Sequence, residues 1–192
     1  MTINLVDAIQ ANLGFPPLQK IDPNTQEVKK PENISPADYI SQAAIPTVLL
    51  GLYKFSRTKD GNVEILNGGL SGNLLAVIFG DLRDSVVDKV AHYTNNTIDY
   101  SSIQMEKIGR EAIRLIRENL KEHNTDDAVT SFLSDQRQNI LTCLPAELQI
   151  GEVLQDNTVD DRTNKMEGPI SGVMHWVEKL FSVPDRKKEE NF

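Results

Sequence analysis

Residues 102–123, with the sequence SIQMEKIGREAIRLIRENLKEH, carry the clearest structural pattern in the chain. Their apolar side chains recur at helical spacing and would share one stripe of an α-helix. The members of this stripe are Met105, Ile108, Ala112, Leu115, Ile116 and Leu120. We therefore predict a long amphipathic helix that begins at Ser101 or Ser102, ends near His123 and packs its stripe on a hydrophobic core.

The opposite side of this helix carries five of the chain's 20 basic residues, which we call the basic strip. Its members are Lys107, Arg110, Arg114, Arg117 and Lys121. One interpretation is a docking surface for an acidic partner protein or for anionic lipid headgroups. The other is a solvated face with ion pairs along the helix, namely Glu106–Arg110, Lys107–Glu111 and Arg114–Glu118. Charge patterns of this kind usually mark an exposed helix, which favours the second interpretation.

The N-terminal part of the chain predicts one helix and a linker. The helix runs from Thr2 to Leu13, with Thr2 as its N-cap and Gly14 directly after its end. Residues 14–33 are rich in proline and lysine and show no period, so we interpret them as a loop or linker.

Two helices should follow the linker. Ser35 and Pro36 start the first, as cap and first helical residue. Pro46 should break or kink this helix after Ala44, because proline lacks the backbone N–H. A second helix is then expected from Pro46 to about Arg57.

The region between Arg57 and the basic strip is the least regular. Residues 59–62 predict a turn, and residues 53–65 also allow a β-hairpin around Asp60-Gly61. Helices are preferred because the preceding residues lack strand alternation. Leu74–Phe79 is a short apolar segment, and Asp81 should cap a helix that ends at Asn95-Asn96.

The part after the basic strip predicts three more helices. Residues 125–127 should cap one that runs to Thr142, and residues 144–148 start a short one. A polar loop at 156–167 then precedes a final helix at 169–181. The fold class is therefore all-α, an irregular array or bundle of about eight short helices.

This pattern predicts three parts of the chain. Residues 1–34 would form the N-terminal helix and proline-rich linker, residues 35–182 a single helical domain, and residues 183–192 a flexible charged tail.

The predicted final helix is a second candidate interaction surface. Its apolar stripe, with one tryptophan at the flank, consists of Ile170, Val173, Met174, Trp176, Val177, Leu180 and Phe181. The stripe would either pack on its own domain or serve as a detachable arm for a partner groove or a membrane surface. Its polar face is not rich in lysine, which argues against the membrane.

Composition and charge restrict the function further. The net charge of −8 argues against nucleic acid as a partner. The chain's single cysteine, Cys143, lies in an apolar run and fits a buried thiol in a reducing compartment. The sequence shows no signal peptide and no apolar run of transmembrane length, so we expect a cytoplasmic protein. A secretion route without a classical signal stays open.

No cofactor or metal site is predicted. The glycines at 61, 68, 69, 72 and 80 lack the lysine of a phosphate-binding loop. The loop at 156–167 has oxygen ligands at calcium-loop spacing, but Asp161 stands where the sharp turn needs glycine. The three histidines, His92, His123 and His175, fall on three predicted helices without helical neighbours that could share a metal.

Three stretches resemble a known family. They are Ala44–Leu52, the glycine-rich turn into Leu74–Asp81, and Phe132–Pro145. Together they resemble the bacterial YidB-like family of small helical domains, over roughly residues 36–155. The resemblance implies a helical fold and carries no catalytic residues, while this chain is more charged than the family pattern and adds a helix at each end.

The sequence therefore favours a non-enzymatic protein–protein interaction or scaffold domain that works through the basic strip, the C-terminal helix or both. Two alternatives stay open. One is a peripheral envelope or membrane-surface protein that binds anionic surfaces. The other is an enzyme whose site assembles from residues scattered along the sequence.

Overall fold

The computed structural model describes residues 3–21, 35–58, 60–67, 70, 72–121, 125 and 127–150. Within these ranges every regular element is helical, which confirms the all-α fold class. The α-helices are α1 (Leu5–Leu13), α2 (Pro36–Ser56), α3 (Gly61–Asn67), α4 (Leu74–Phe79), α5 (Arg83–Thr94), α6 (Ile98–Asn119), α7 (Ala128–Asp135) and α8 (Arg137–Leu141). Two 3₁₀ turns, Gly80–Leu82 and Ala146–Leu148, complete the order.

Helix α2 lies at the centre of the domain. All its residues from Tyr39 to Tyr53 are buried, so it is enclosed on every side. Helices α1, α4, α5, α6 and α7 all pack against it. The predicted stripe of α6, from Met105 to Leu120, is buried as expected. The fold is thus a set of helices packed around one apolar helix, α2.

The predicted break at Pro46 is wrong, because α2 continues through it as one helix. Proline removes one backbone hydrogen bond and costs about 3 kcal/mol or more inside a helix. Ile45, Val48 and Leu49 around it are fully buried, and each such side chain contributes about 1.5–3 kcal/mol. Packing on all sides therefore outweighs the cost of the proline.

The turn predicted at residues 59–62 is partly wrong, since α3 already begins at Gly61. The β-hairpin alternative does not form, because helices flank this turn on both sides. Gly61 is required where α2 and α3 meet: a Cβ at this position would overlap the carbonyl oxygen of Phe55. Gly61, predicted as a turn residue, is therefore the first residue of α3 because the corner between α2 and α3 has no room for a side chain.

Three predicted helix starts are displaced. Asn4, rather than Thr2, caps α1 by accepting hydrogen bonds from the N–H groups of Val6 and Asp7. Thr97 caps α6, which therefore begins a turn before Ser101. Asp81 does not cap α5, because it lies inside a 3₁₀ turn that precedes the helix.

Other predicted boundaries hold. Gly14 ends α1 in the left-handed conformation, with φ +70°. The hydroxyl of Ser35 accepts the N–H of Asp38 and Pro36 is the first residue of α2, as predicted. Asn95 closes α5, also in the left-handed conformation.

The helix predicted from residue 127 to Thr142 is interrupted at Gln136. The buried side chain of Gln136 accepts the N–H of Leu5 at 2.9 Å and donates to the carbonyl of Ile3 at 2.9 Å. This glutamine thus ties the start of α1 to the junction of α7 and α8. The predicted domain boundary at residues 34 and 35 stays a prediction, although Leu5, Val6 and Ile9 of α1 are part of the core.

Candidate functional site

An open groove of about 540 Å³ runs along the surface of α6. Its other wall is formed by Leu66 and Asn67 at the end of α3, by Leu70, and by Leu74 at the start of α4. The lining is apolar at the bottom, where Leu70, Leu74, Ile113 and Leu120 are buried and Leu66 is half-buried. Exposed polar residues form its edges, and they comprise Asn67, Arg110, Arg114, Arg117, Glu118 and Lys121.

Gly109 lets α4 approach α6 closely enough to form the bottom of this groove. A Cβ on Gly109 would stand 2.7 Å from Cδ2 of Leu74, which is closer than side-chain carbons pack. The absent side chain therefore leaves room for Leu74 against α6.

Two charged residues of α6 hold the turn before α4 in place. Arg110 donates from Nη2 to the carbonyl oxygen of Gly72 at 2.7 Å. Glu106 accepts the N–H of Leu75 at 2.9 Å, and its other oxygen lies 3.4 Å from Arg110. Arg110 thus has a structural role in addition to its place in the basic strip.

Arg114 is held by carboxylates on both sides. Its guanidinium makes two hydrogen bonds to Glu111, at 2.6 and 2.9 Å, and a third to Glu118 at 2.6 Å. Glu111 also accepts a hydrogen bond from Asn12 of α1 at 2.7 Å. The hydrogen bond from Arg114 holds the pKa of Glu111 below its usual value. The charge of Arg114 is therefore largely compensated.

The other three residues of the basic strip are exposed and make no ion pair within the described part of the chain. They are Lys107, Arg117 and Lys121. The predicted pairs Glu106–Arg110 and Arg114–Glu118 are confirmed. The predicted pair Lys107–Glu111 is wrong, because Arg114 and Asn12 occupy the carboxylate of Glu111.

A second, shallower depression of about 480 Å³ continues the groove past Arg110. It is lined by Gly72, Asn73, Ser102, Ile103, Glu106, Lys107 and Arg110. Ile103 is 54% exposed, which is unusual for a large apolar residue. Arg110 borders both depressions, so α6 and the turn that follows it present one surface about 27 Å long from Ile103 to Lys121.

Sequence reasoning missed the apolar half of this groove. Leu66 and Leu70 flank a glycine-rich segment that reads as a turn, and no periodicity links them to α6. The leucines become partners of the basic strip because α3 and α4 both pack against α6. The basic half was predictable, since helical spacing alone places its residues on one exposed face.

The histidine and cysteine side chains in the described part of the chain form no shared site. No group of three or more histidine, cysteine, aspartate or glutamate side chains in the described ranges is placed to hold a metal ion. Cys143 is buried as predicted, and burial raises the pKa of its thiol. His92 lies in the last turn of α5, while His123 and His175 fall outside the described residues.

A tyrosine pair that the sequence did not predict joins α2 to α5. The hydroxyl oxygens of Tyr39 and Tyr93 lie 3.0 Å apart and their rings stack at 5.8 Å. Burial raises the pKa of both phenols, so they stay neutral and act as a structural contact.

The C-terminal candidates lie outside the described residues. These are Ile170, Val173, Met174, Trp176, Val177, Leu180 and Phe181. The same holds for the loop at 156–167 and the tail at 183–192. Among the helices that are described, none combines the length and the apolar character needed to cross a bilayer.

Comparison of the chain with protein-family models, with curated proteins and with solved structures finds no match. The resemblance to the YidB-like family therefore stays a prediction.

Proposed function

We propose that this chain is a non-enzymatic interaction domain that binds an acidic, partly apolar segment of a partner protein along α6. One observation carries this proposal: an apolar groove bottom is bordered by exposed cations that make no ion pair among the described residues. Leu66, Leu70 and Leu74 lie on one side of the groove, and Arg117 and Lys121 lie on the other.

The two halves of the groove contribute differently to binding. An apolar side chain that becomes buried on the leucines contributes about 1.5–3 kcal/mol. An exposed ion pair contributes only about 0–1 kcal/mol, so Arg117 and Lys121 mainly select acidic partners and speed their approach. The best occupant therefore carries apolar residues on one face and carboxylates beside them, as an amphipathic acidic helix does.

The alternative proposal, peripheral binding to an anionic membrane, fits this surface less well. The groove edge offers two cations without an ion pair among the described residues, Arg117 and Lys121, whereas recognition of anionic lipid takes a cluster of about four to eight. The leucines are also recessed at the bottom of the groove, where a bilayer surface does not reach.

The test uses a displayed library of random peptides of about 16 residues, roughly the length of the groove in helical form. Peptides that bind the immobilised full chain should be enriched in aspartate and glutamate, with apolar residues at helical spacing. Their affinity should fall about tenfold in the double variant Arg117→Glu/Lys121→Glu, which reverses two weak ion pairs.

The matched control is Lys20→Glu, an exposed reversal on the N-terminal segment, which should leave the affinity unchanged. Vesicles of phosphatidylcholine with phosphatidylserine test the alternative in parallel. If no peptides are enriched, and the chain binds vesicles but its double variant Arg117→Glu/Lys121→Glu does not, the ligand of this surface is a membrane and not a protein. Peptides that bind the double variant and the Lys20→Glu control equally well would show that they do not bind in the groove.

A further inference from the structure

The groove along α6 has a candidate occupant within the same chain. Residues 169–181 read PISGVMHWVEKLF, and their apolar residues recur at the spacing of one helical face. A helix of this length spans about 20 Å, which fits within the roughly 27 Å of α6 surface from Ile103 to Lys121. We propose that residues 169–181 bind in this groove and compete there with the partner segment.

The connecting chain is long enough for this arrangement. Ile150, the last described residue, is buried against the core and fixes where the connection starts. The roughly 18 residues from 151 to 168 reach up to about 60 Å when extended, more than the width of a domain of this size. Attachment through a linker of this kind supplies a local concentration in the millimolar range, so even weak contacts suffice for occupancy.

Charge complementarity supports the same occupant. The connecting chain carries five carboxylates, Glu152, Asp156, Asp160, Asp161 and Glu167, against two basic residues, Arg162 and Lys165. The edge of the groove offers Arg117 and Lys121, and Lys107 extends the cationic surface beyond Arg110. If residues 169–181 bind in the groove, the carboxylates just before them in the chain come close to these cations. The cations make no ion pair among the described residues, so the opposite charges favour this placement.

The consequence is regulation by competition at one site. A partner segment has to displace residues 169–181, which raises the partner concentration needed for half-occupancy. This inference rests on the proposed function only for the identity of the competitor, since occupancy by residues 169–181 is measured without any partner.

Trp176, the chain's single tryptophan, provides the test in the full chain. We expect a blue-shifted emission maximum and weak quenching by acrylamide in the unmodified protein. Arg117→Glu/Lys121→Glu should shift the emission to the red and raise the quenching constant, while Lys20→Glu should change neither. Circular dichroism on each variant confirms that the helices persist.

An engineered disulfide gives a second measurement that does not depend on charge. Arg117→Cys with Glu178→Cys should form an intramolecular disulfide on mild oxidation, and Lys20→Cys with Glu178→Cys should not. The inference would be overturned if acrylamide quenches Trp176 of the unmodified protein as strongly as it quenches a fully exposed tryptophan. It would also be overturned by a Trp176 protected equally in all charge variants, or by crosslinks that form equally in both cysteine pairs.

The double variant Val173→Asp/Val177→Asp separates this inference from the proposed function. If residues 169–181 occupy the groove, the selected peptides should bind this variant several-fold more tightly than the unmodified chain. Protection of Trp176 in the unmodified chain, together with no peptide binding to this variant, would support occupancy and contradict the partner. Peptide binding that is equal in both proteins would support the partner and contradict the competition.

Discussion

The side-chain amide of Gln42 pairs with both backbone groups of Gln19, as a neighbouring β-strand would. Gln42 accepts the N–H of Gln19 at 2.8 Å and donates to its carbonyl oxygen at 3.0 Å. The same amide donates to the carbonyl of Cys143 at 2.9 Å. One buried side chain of α2 therefore fastens the first part of the predicted linker to the segment that follows α8.

Replacement of Gln42 should loosen this connection. Gln42→Met keeps the approximate shape and removes all three hydrogen bonds, so we expect a loss of about 1–3 kcal/mol in the free energy of unfolding. The amide of Gln19 should exchange faster with solvent. The thiol of Cys143 should react faster with Ellman's reagent, because Ile21 binds the adjacent Thr142 carbonyl through the same segment.

Gln10→Met is the matched control for this prediction. Among the described residues, the side chain of Gln10 bonds to the N–H of Leu18 alone, at 3.1 Å, so its replacement should affect the exchange of Leu18 and leave Cys143 unreactive. Equal thiol reactivity in the unmodified chain and in Gln42→Met would show that the segment is held by its apolar contacts alone.

The local elements of this fold were largely readable from the sequence. Gly14, Ser35 with Pro36, and Asn95 end or begin helices where their backbone preferences require it. The break predicted at Pro46 does not occur. Proline disfavours a helix interior locally, but burial of α2 on every side outweighs this preference, and that burial depends on helices far away in the chain.

Long-range contacts carried no sequence signal. Gln136 binds Leu5 across 131 positions, and nothing in either stretch indicates the other. For the same reason only the basic half of the groove was predicted. Its spacing is a property of one helix, whereas Leu66 and Leu70 depend on how three helices pack.

Thr47 lies fully buried in α2, and its hydroxyl has no hydrogen-bond partner in the described part of the chain. Valine has nearly the same shape without the polar atom. We therefore expect Thr47→Val to raise the free energy of unfolding by about 1 kcal/mol in urea titrations, since a buried unpaired hydroxyl is costly.

Thr94→Val is the opposite case and serves as the control. Thr94 is equally buried, but its hydroxyl donates to Val90 at 2.8 Å and accepts from Asn96 at 2.9 Å. This variant should lose about 1–2 kcal/mol. If Thr94→Val is more stable than the unmodified chain, or Thr47→Val less stable, then side-chain shape and not hydrogen bonding determines the free energy of unfolding at these sites.

Two helical glycines should respond differently to alanine. A Cβ on Gly51 of α2 would overlap the ring of Phe79 and approach Cγ2 of Ile78 to 2.8 Å. A Cβ on Gly109 would come too close to one terminal methyl of Leu74, at 2.7 Å, and would make an ordinary contact with Cγ1 of Val48 at 3.5 Å. Alanine favours helices by about 1 kcal/mol over glycine, but overpacking costs about 1–3 kcal/mol.

We therefore expect Gly51→Ala to lower the free energy of unfolding clearly, and Gly109→Ala to lower it less because Leu74 can change its rotamer. Thermal unfolding of both variants checks the order. A Gly109→Ala variant that unfolds more easily than Gly51→Ala would mean that Leu74 is the more tightly fixed neighbour.

The contact between Glu111 and Arg114 should appear as a pH dependence of stability. The hydrogen bond from Arg114 lowers the pKa of Glu111 in the folded protein below the value of 4.5 expected when the chain is unfolded. Ionised Glu111 therefore stabilises the fold above pH 4.5, and this contribution disappears as the pH falls through the lowered pKa. In urea titrations, Glu111→Gln should be less stable than the unmodified chain at neutral pH and approach it below pH 4.5.

Arg114→Gln identifies the origin of this effect, since it removes the guanidinium and leaves the bond from Asn12 to Glu111. In the Arg114→Gln background, the change Glu111→Gln should have a much weaker pH dependence. If the pH dependence persists unchanged there, the carboxylate is stabilised by Asn12 or by the surrounding charges instead. The same pair of variants separates structure from binding, because Arg114 already has two carboxylate partners, whereas Arg117 and Lys121 make no ion pair among the described residues. Arg114→Gln should therefore change stability more than it changes the affinity of the selected peptides.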